Sequence, residues 1–264
     1  MTAITTLLLP SFASSSADLG GADSEDFGRS ESGQYDLAVV IDVLRATTVM
    51  VTALNSGAAG VITCRSIDEA RGLADKLQDQ AVLCGERHCQ KIDGFHLGNS
   101  PTEYAREVIG GKQVILTTTN GTRAIEAMHH VPELVIASFL NLSTIVKKIA
   151  SVQTACIVCA GTNGEVTSED VLLAGALISQ LNANGYSLTL DDASKISALV
   201  WESFQGANVA SLPSPQLLAI RLRETQGGKN LVNLGYERDL LYCGQINSCS
   251  VLPRRVGKSP TRFS

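Results

Sequence analysis

The chain has 264 residues, 44% of them apolar and 18% charged, with a formal net charge of −5. That balance suits an ordinary globular protein, large enough for one big α/β domain or two smaller ones. The acidic total and the lack of a long basic run argue against a nucleic-acid partner, and no apolar run is long enough to span a bilayer.

Met1 to Pro10 carries a short apolar stretch, Leu7-Leu8-Leu9, with no basic n-region, so a secretory signal is not expected. The seven cysteines are odd in number and scattered, and they read as reduced, mostly buried thiols of a cytoplasmic protein. Residues 12–35 are rich in Ser, Gly, Asp and Glu without a hydrophobic period, the composition of a loop or linker. From Leu37 onward, short β-like runs alternate with amphipathic helical patterns. Strands are expected over residues 37–42, 59–63, 81–84, 112–117, 134–138 and 154–159.

Helix starts are marked between them. Ser66-Ile-Asp-Glu69 is a capping box followed by Ala70, Leu73, Ala74 and Leu77 at helical spacing. Ser100-Pro101-Thr102-Glu103 is a second box, with proline at the first helical position. A third helix is predicted after Thr167-Ser168, with Glu169 and Asp170 in its first turn and an apolar stripe of Val171, Ala174, Leu177, Ile178 and Leu181. A fourth opens at Asp191-Asp192 and carries Ile196, Leu199, Val200 and Phe204; Trp201 and Phe204 suit the core or a subunit contact. A fifth opens at Ser214-Pro215 and stops near Gly227-Gly228. Strands alternating with helices give the class α/β, a mainly parallel sheet layered between helices. The whole chain, 1–264, reads as a single domain, and the part beyond about residue 150 either continues that sheet or forms a second α/β lobe.

In such a sheet, ligands sit beyond the carboxyl ends of the strands. The first strand ends in Asp42, followed by Arg45, Thr47 and Thr48. The third ends in Gly85-Glu86-Arg87-His88, and the fifth runs into Phe139-Leu140-Asn141. The sixth ends in Ala160-Gly161-Thr162-Asn163-Gly164, just before Glu169 and Asp170. The fourth empties into Thr117, Thr118, Thr119, Asn120, Gly121, Thr122 and Arg123. That polar turn before a helix start suits an anion through N–H groups, hydroxyls and a guanidinium fork. With a negative overall charge, such an anion needs local donors or a metal. Asp42, Glu86, Glu169 and Asp170 are oxygen donors for Mg²⁺, which takes one or two carboxylates and keeps waters. Each also has an ordinary structural reading, as an arginine partner or a helix-start charge. Arg45, Arg87 and Arg123 are candidate oxyanion clamps, and Gly98-Asn99-Ser100 could complete the pocket.

Other features read as structural. Cys156 and Cys159, three apart on a strand, point to opposite faces and cannot converge. Cys84, His88 and Cys89 lack a second Cys/His pair at zinc-finger spacing. His88 and His96 lie in loops near the same edge, where either could serve as a general acid. No Gly-x-Gly-x-x-Gly follows the first strand, which argues against a dinucleotide-binding dehydrogenase.

The strings DVLRATT (42–48), GER (85–87), GFHLGNSP (94–101), TTTNGTRA (117–124), SFLN (138–141), CAGTNGEVTSEDVLLAG (159–175) and GKNL…G…DL (228–240) resemble, in type and order, the 2-phosphosulfolactate phosphatase (ComB) family. The resemblance covers most of residues 37–243. It implies an α/β, Mg²⁺-dependent phosphatase that converts 2-phospho-3-sulfolactate to 3-sulfolactate and phosphate, a step of coenzyme M synthesis in methanogens. Where many relatives look like Gly-Arg-Asn-Leu, this chain has Lys229, which keeps the charge without the bidentate geometry.

The residues expected to carry catalysis are Asp42, Arg45, Glu86 and Arg123. Those expected to bind substrate are Thr47, Thr48, Asn99, Ser100, Thr118, Thr119, Asn120, Gly121 and Thr122. The nucleophile is either a water or Asp42. Alternatives are a phosphatase of another small phosphorylated acid and a non-catalytic binder of small anions. The expected partner is a small anionic organophosphate, with room for a homo-oligomer.

Overall fold

The computed structural model describes residues 1–10, 35–206 and 212–264, so the linker read over 12–35 lies, all but Tyr35, outside the described residues. In chain order the strands are β1 (Thr2–Leu7), β2 (Leu37–Ile41), β3 (Gly60–Thr63), β4 (Ala81–Arg87), β5 (Gln90–Lys91), β6 (Gln113–Thr117), β7 (Glu133–Ala137), β8 (Thr154–Cys159), β9 (Leu188–Leu190), β10 (Arg255–Lys258) and β11 (Thr261–Phe263). The helices are α1 (Ala46–Asn55), α2 (Ile67–Leu77), α3 (Arg106–Ile109), α4 (Gly121–Ala127), α5 (Leu142–Ala150), α6 (Ser168–Ala183), α7 (Asp192–Gln205), α8 (Pro215–Glu224), α9 (Gln226–Asn233) and α10 (Glu237–Cys243). No described helix is long and apolar enough to cross a membrane.

The class is α/β, built on two sheets. The first has the order β7-β2-β8-β1-β9 and is parallel throughout. The second has the order β10-β11-β3-β6-β4-β5, parallel at β3-β6-β4 and antiparallel at its edges. The strands after residue 150 do not separate from the rest: β8 pairs with both β2 and β1 in the middle of the first sheet. Strands β3 to β6 of the second sheet are inserted between β2 and β7, and β10 and β11 return from beyond α10 to complete it.

Alternation along the central strands sorts the core into layers. Leu37, Val39 and Ile41 of β2 face α5, α6 and Trp201. Ala38 and Val40 face α1 and α4, which are shared with Val61, Val114 and Leu116 of the second sheet. Ile62, Leu83 and Ile115 face away, toward α2. Helices α1 and α4 therefore lie between the two sheets. Cys156 and Cys159 fall in different clusters, as expected for strand residues three apart.

Several expected elements come out differently. The Ser100 box opens only a 3-10 turn, Pro101–Glu103, with no side-chain cap. Its serine hydroxyl is engaged elsewhere, donating to Asp239 at 2.6 Å, and Glu103 accepts from the Gly98 N–H at 2.7 Å. The fifth helix breaks at Thr225, and Gly227 and Gly228 lie inside α9 instead of ending α8. A Cβ on Gly228 would stand 1.9 Å from the Leu222 carbonyl, so the pair serves close packing. On α7 the predicted stripe is split: Val200 and Phe204 pack against the core as expected, while Ile196 and Leu199 are 52% and 62% exposed and Ser194, Ser197, Ala198 and Trp201 are the buried set. The cause is Gly175 on α6, where a Cβ would meet the Ser197 carbonyl at 2.0 Å. Backbones that close need small residues between them, and these win over the larger apolar set.

Trp201 is fully buried, with ring centroids 6.0 Å from Phe139 and 5.6 Å from Phe204. Trp201→Ala should cost about 3–5 kcal/mol by the cavity it leaves. Urea denaturation checks this, and a loss below about 1 kcal/mol would remove Trp201 as the anchor of α7.

Candidate active site

The carboxyl ends of β2, β4, β6 and β8 converge on a cleft of about 300 Å³ between the two sheets. Its walls include Asp42, Arg45, Glu86, His88, Cys89, Asn99, Thr119, Asn120, Thr162 and Asn163, with Gly227, Asn230 and Asn233 closing it from α9. A larger cavity, about 580 Å³, lies between α2, α4 and the β10–β11 hairpin, and of the predicted site residues only Thr122 lines it.

Asp42 stands one residue beyond β2, 8% exposed. Its Oδ1 accepts from the Ala46 N–H at 3.2 Å. Burial pushes its carboxyl up to about 7, and the charges of Glu86 and Glu169 add to the rise against the pull of the Ala46 N–H and Arg45. Gly121 makes this position possible: a Cβ there would lie 2.8 Å from Asp42 Oδ2 and 2.5 Å from the Ala46 Cβ.

The other three predicted metal carboxylates divide by what holds them. Asp170 accepts from the Val43 N–H at 2.9 Å and from the Gly161 N–H at 3.0 Å, so each oxygen is already bonded. Burial, with the Asp42 and Glu169 charges, raises its carboxyl well above the usual range despite those two bonds. Glu86 accepts from the Cys89 N–H at 2.8 Å and the Thr119 N–H at 2.7 Å, clamping two loops. Glu169 is 2% exposed, its Oε2 has no hydrogen-bond partner, and burial raises its carboxyl too. Gly227 packs directly against it, since a Cβ there would lie 2.1 Å from Oε1. Among the described residues, no three of His, Cys, Asp and Glu form a metal-holding group, so the four carboxylates do not act as one cluster.

Arg45 caps α1 and is 2% exposed. It pairs with Asp239 at 2.6 Å, donates to the Cys89 carbonyl at 2.9 Å and lies 4.4 Å over the Tyr236 ring. Asp239, on α10, also accepts from Ser100 Oγ at 2.6 Å. Sequence reading missed Asp239 as a site residue; its only trace was the Asp-Leu at the end of the last family-like string.

The predicted threonines are mostly spent within the backbone. Thr47 Oγ1 donates to the Asp42 carbonyl at 2.8 Å, and Thr48 Oγ1 donates to that of Val43 at 2.9 Å. Thr118 and Thr122 bond each other: Thr118 Oγ1 accepts from the Thr122 N–H at 3.2 Å, and Thr122 Oγ1 donates to the Thr118 carbonyl at 2.7 Å. Thr119 and Asn120 do face the cleft, and so does Asn99. Thr119 Oγ1 and Asn99 Oδ1 are both buried without a partner, polar atoms left for a ligand.

Two predicted clamps are elsewhere. Arg123 is exposed on α4 and does not line the cleft. Arg87 continues β4 and donates to Thr117 Oγ1 at 3.0 Å. Of the two histidines, His96 Nδ1 accepts from the Leu83 N–H at 2.9 Å, whereas His88 lines the cleft with φ +54°. Lys229 is exposed and points no group into the lining. Asn141 is structural, donating to the Ile136 and Val251 carbonyls.

A carboxylate floor with amide and hydroxyl walls, set at the strand ends of parallel sheets, defines an α/β enzyme for a small polar ligand. Comparison with known proteins agrees. The chain belongs to the 2-phosphosulpholactate phosphatase family, which matches residues 26–258. It is 43% identical over 219 residues, 83% of this chain and 88% of the relative, to a probable 2-phosphosulfolactate phosphatase of Thermotoga maritima. A protein of the same name from Clostridium perfringens is 39% identical over 228 residues, 85% of this chain and 87% of its own. One from Symbiobacterium thermophilum is 36% identical over 219 residues, 82% and 90% of the two chains. The chain is thus a phosphoric monoester hydrolase.

The raised carboxyl of Asp42 has a consequence for stability. An acid whose folded value exceeds its unfolded one binds more protons when folded, so stability falls as pH climbs from about 4 toward 7 and stays lower above that. Asp42→Asn removes the penalty. In metal-free buffer at pH 8 it should be more stable than the parent, by about 2 kcal/mol in urea, while losing turnover. A variant less stable than the parent at pH 8 would contradict the burial argument.

Proposed function

We propose that this enzyme hydrolyses 2-phospho-3-sulfolactate to 3-sulfolactate and phosphate with the aid of Mg²⁺. The relatives' names supply the substrate, and one observation supports the metal. Asp42, Glu86, Glu169, Asp170 and Asp239 are all buried, and the one arginine at the cleft among the described residues, Arg45, is already paired with Asp239. Two of these carboxylates have both oxygens on backbone N–H groups, and Asp239 has its own on Arg45 and Ser100. Glu169 Oε2 and the Gly121-facing Oδ2 of Asp42 are left. An orphaned buried carboxylate oxygen beside a second raised carboxyl calls for a cation, and Mg²⁺ takes one or two such ligands from protein.

Asp42 and Glu169 would hold the ion, which when bound supplies charge neutralisation at phosphoryl oxygens and a more acidic water. The chain's own groups do the rest. Thr119 Oγ1 donates to a phosphoryl oxygen, and its N–H is held in place by Glu86. Arg45, kept at the wall by Asp239 and Tyr236, sets positive charge against the negative charge on the equatorial oxygens.

Phosphate release by the purified chain, with and without Mg²⁺, tests the reading. Release should require the ion, and none should follow in Glu169→Gln. Without substrate, Mg²⁺ at about a hundredfold excess over its Kd should add about 2.7 kcal/mol to the parent's unfolding free energy. It should add little to Glu169→Gln. Equal gains in both proteins would remove Glu169 from the metal site.

A further inference from the structure

We propose that the sulfonate end of the substrate is read by uncharged amide donors, Asn120 and Asn230, and by no arginine. The proposal rests on the phosphosulfolactate reading above. A phosphate ester that also carries a sulfonate and a carboxylate needs several donors, yet among the described residues Arg45 is the one arginine lining the cleft, and Asp239 and Cys89 use its fork. Apart from His88, the remaining side-chain donors lining the cleft are neutral, and most of them are asparagines.

Two lining asparagines are placed to supply the donors. Asn120 Oδ1 accepts from the Asn163 N–H at 3.2 Å. A backbone N–H can only donate, so the amide oxygen of Asn120 is fixed on Asn163 and its Nδ2 is presented to the cleft. On the α9 wall, Asn230 Oδ1 accepts from Gln226 Nε2 at 3.0 Å, and even with the two amides turned over the Asn230 NH₂ keeps one N–H that this bond does not use. Both asparagines are half-buried, where a hydrogen bond gains from partial exclusion of water.

The chemistry of the group favours such a site. A sulfonate spreads one charge over three tetrahedral oxygens. A fork could serve it as it serves a phosphate, but with a single charge its oxygens are weaker acceptors and are matched by neutral donors. Separate N–H donors from the turn before α4 and from α9 can reach different oxygens of a tetrahedral group. A neutral wall also avoids placing another fixed cation beside the metal site.

The test compares 2-phospho-3-sulfolactate with 2-phospholactate, which has the same ester and carboxylate and a methyl group in place of the sulfonated carbon. The parent should prefer the sulfonated ester. Asn230→Ala should lower kcat/KM for it about tenfold or more, with phospholactate changed less than about twofold. Asn120→Ala should do the same, and Asn230→Ala carries the decision because it leaves the Asn163 N–H satisfied. Equal losses on both esters, no loss on either, or a parent without preference would overturn the proposal and leave the phosphatase reading standing. If the parent releases phosphate from neither ester, that reading fails instead. The amide reading is then decided by calorimetric binding of 3-sulfolactate against lactate: a sulfonate preference lost in Asn230→Ala supports it, and one kept or never present overturns it.

Discussion

The site depends on two hydrogen bonds, those from the Val43 and Gly161 N–H groups to the Asp170 carboxylate. Val43 and Gly161 follow β2 and β8, neighbours paired in register up to Ile41 and Cys159. Asp170 therefore pins the first turn of α6 to both strand ends at once. That pin sets Glu169 beside Asp42. Two backbone donors would ordinarily hold a carboxyl low, but burial and the neighbouring carboxylates win, and all three acids are raised. The charges are crowded at a cost that the surrounding core offsets. β2, β8 and the inner face of α6 are buried almost without exception.

How much of this was legible depends on the range of the interaction. The central strands and Asp42 at the end of β2 were visible because strand periodicity and strand ends are local signals. So were the helix starts at Ser66, Asp191 and Ser214, each of which accepts the expected N–H bond. β1 was not, because the alternation of Thr2–Leu7 is weak and its burial comes from pairing with β8, about 150 residues away in sequence. Asp239 was missed for the same reason: its partner Arg45 is 194 residues distant. The threonines of 117–122 were visible as a polar turn, but composition cannot say which hydroxyls cap α4 and which face a ligand. Arg123 shows the limit of reading position as direction. It sits next to Thr122 and still points away, because a helix turns about 100° per residue.

The division into two sheets explains why a cleft exists at these strand ends. Asp42 comes from the first sheet and Glu86, Thr119 and Asn120 from the end of the second. Helices α1 and α4 fill the space between, and Gly121 lets α4 approach the Asp42 carboxylate as closely as it does. Glu86 then spans from β4 to the Thr119 amide, and Arg45 from α1 to Cys89 and Asp239. Each of these contacts crosses from one structural unit to another. The Glu86 bond braces two strand ends of the second sheet, while the Arg45 bonds tie α1 to the Cys89 loop and to α10, so the cleft is held at one width by polar bonds as well as by packing. Such pre-set geometry is what lets donors stabilise charge without reorganising when it develops. It also explains why so many polar residues of the site bond to backbone and so few, chiefly Thr119, Asn99 and the Asn120 and Asn230 amides, retain an unmatched atom at the cleft.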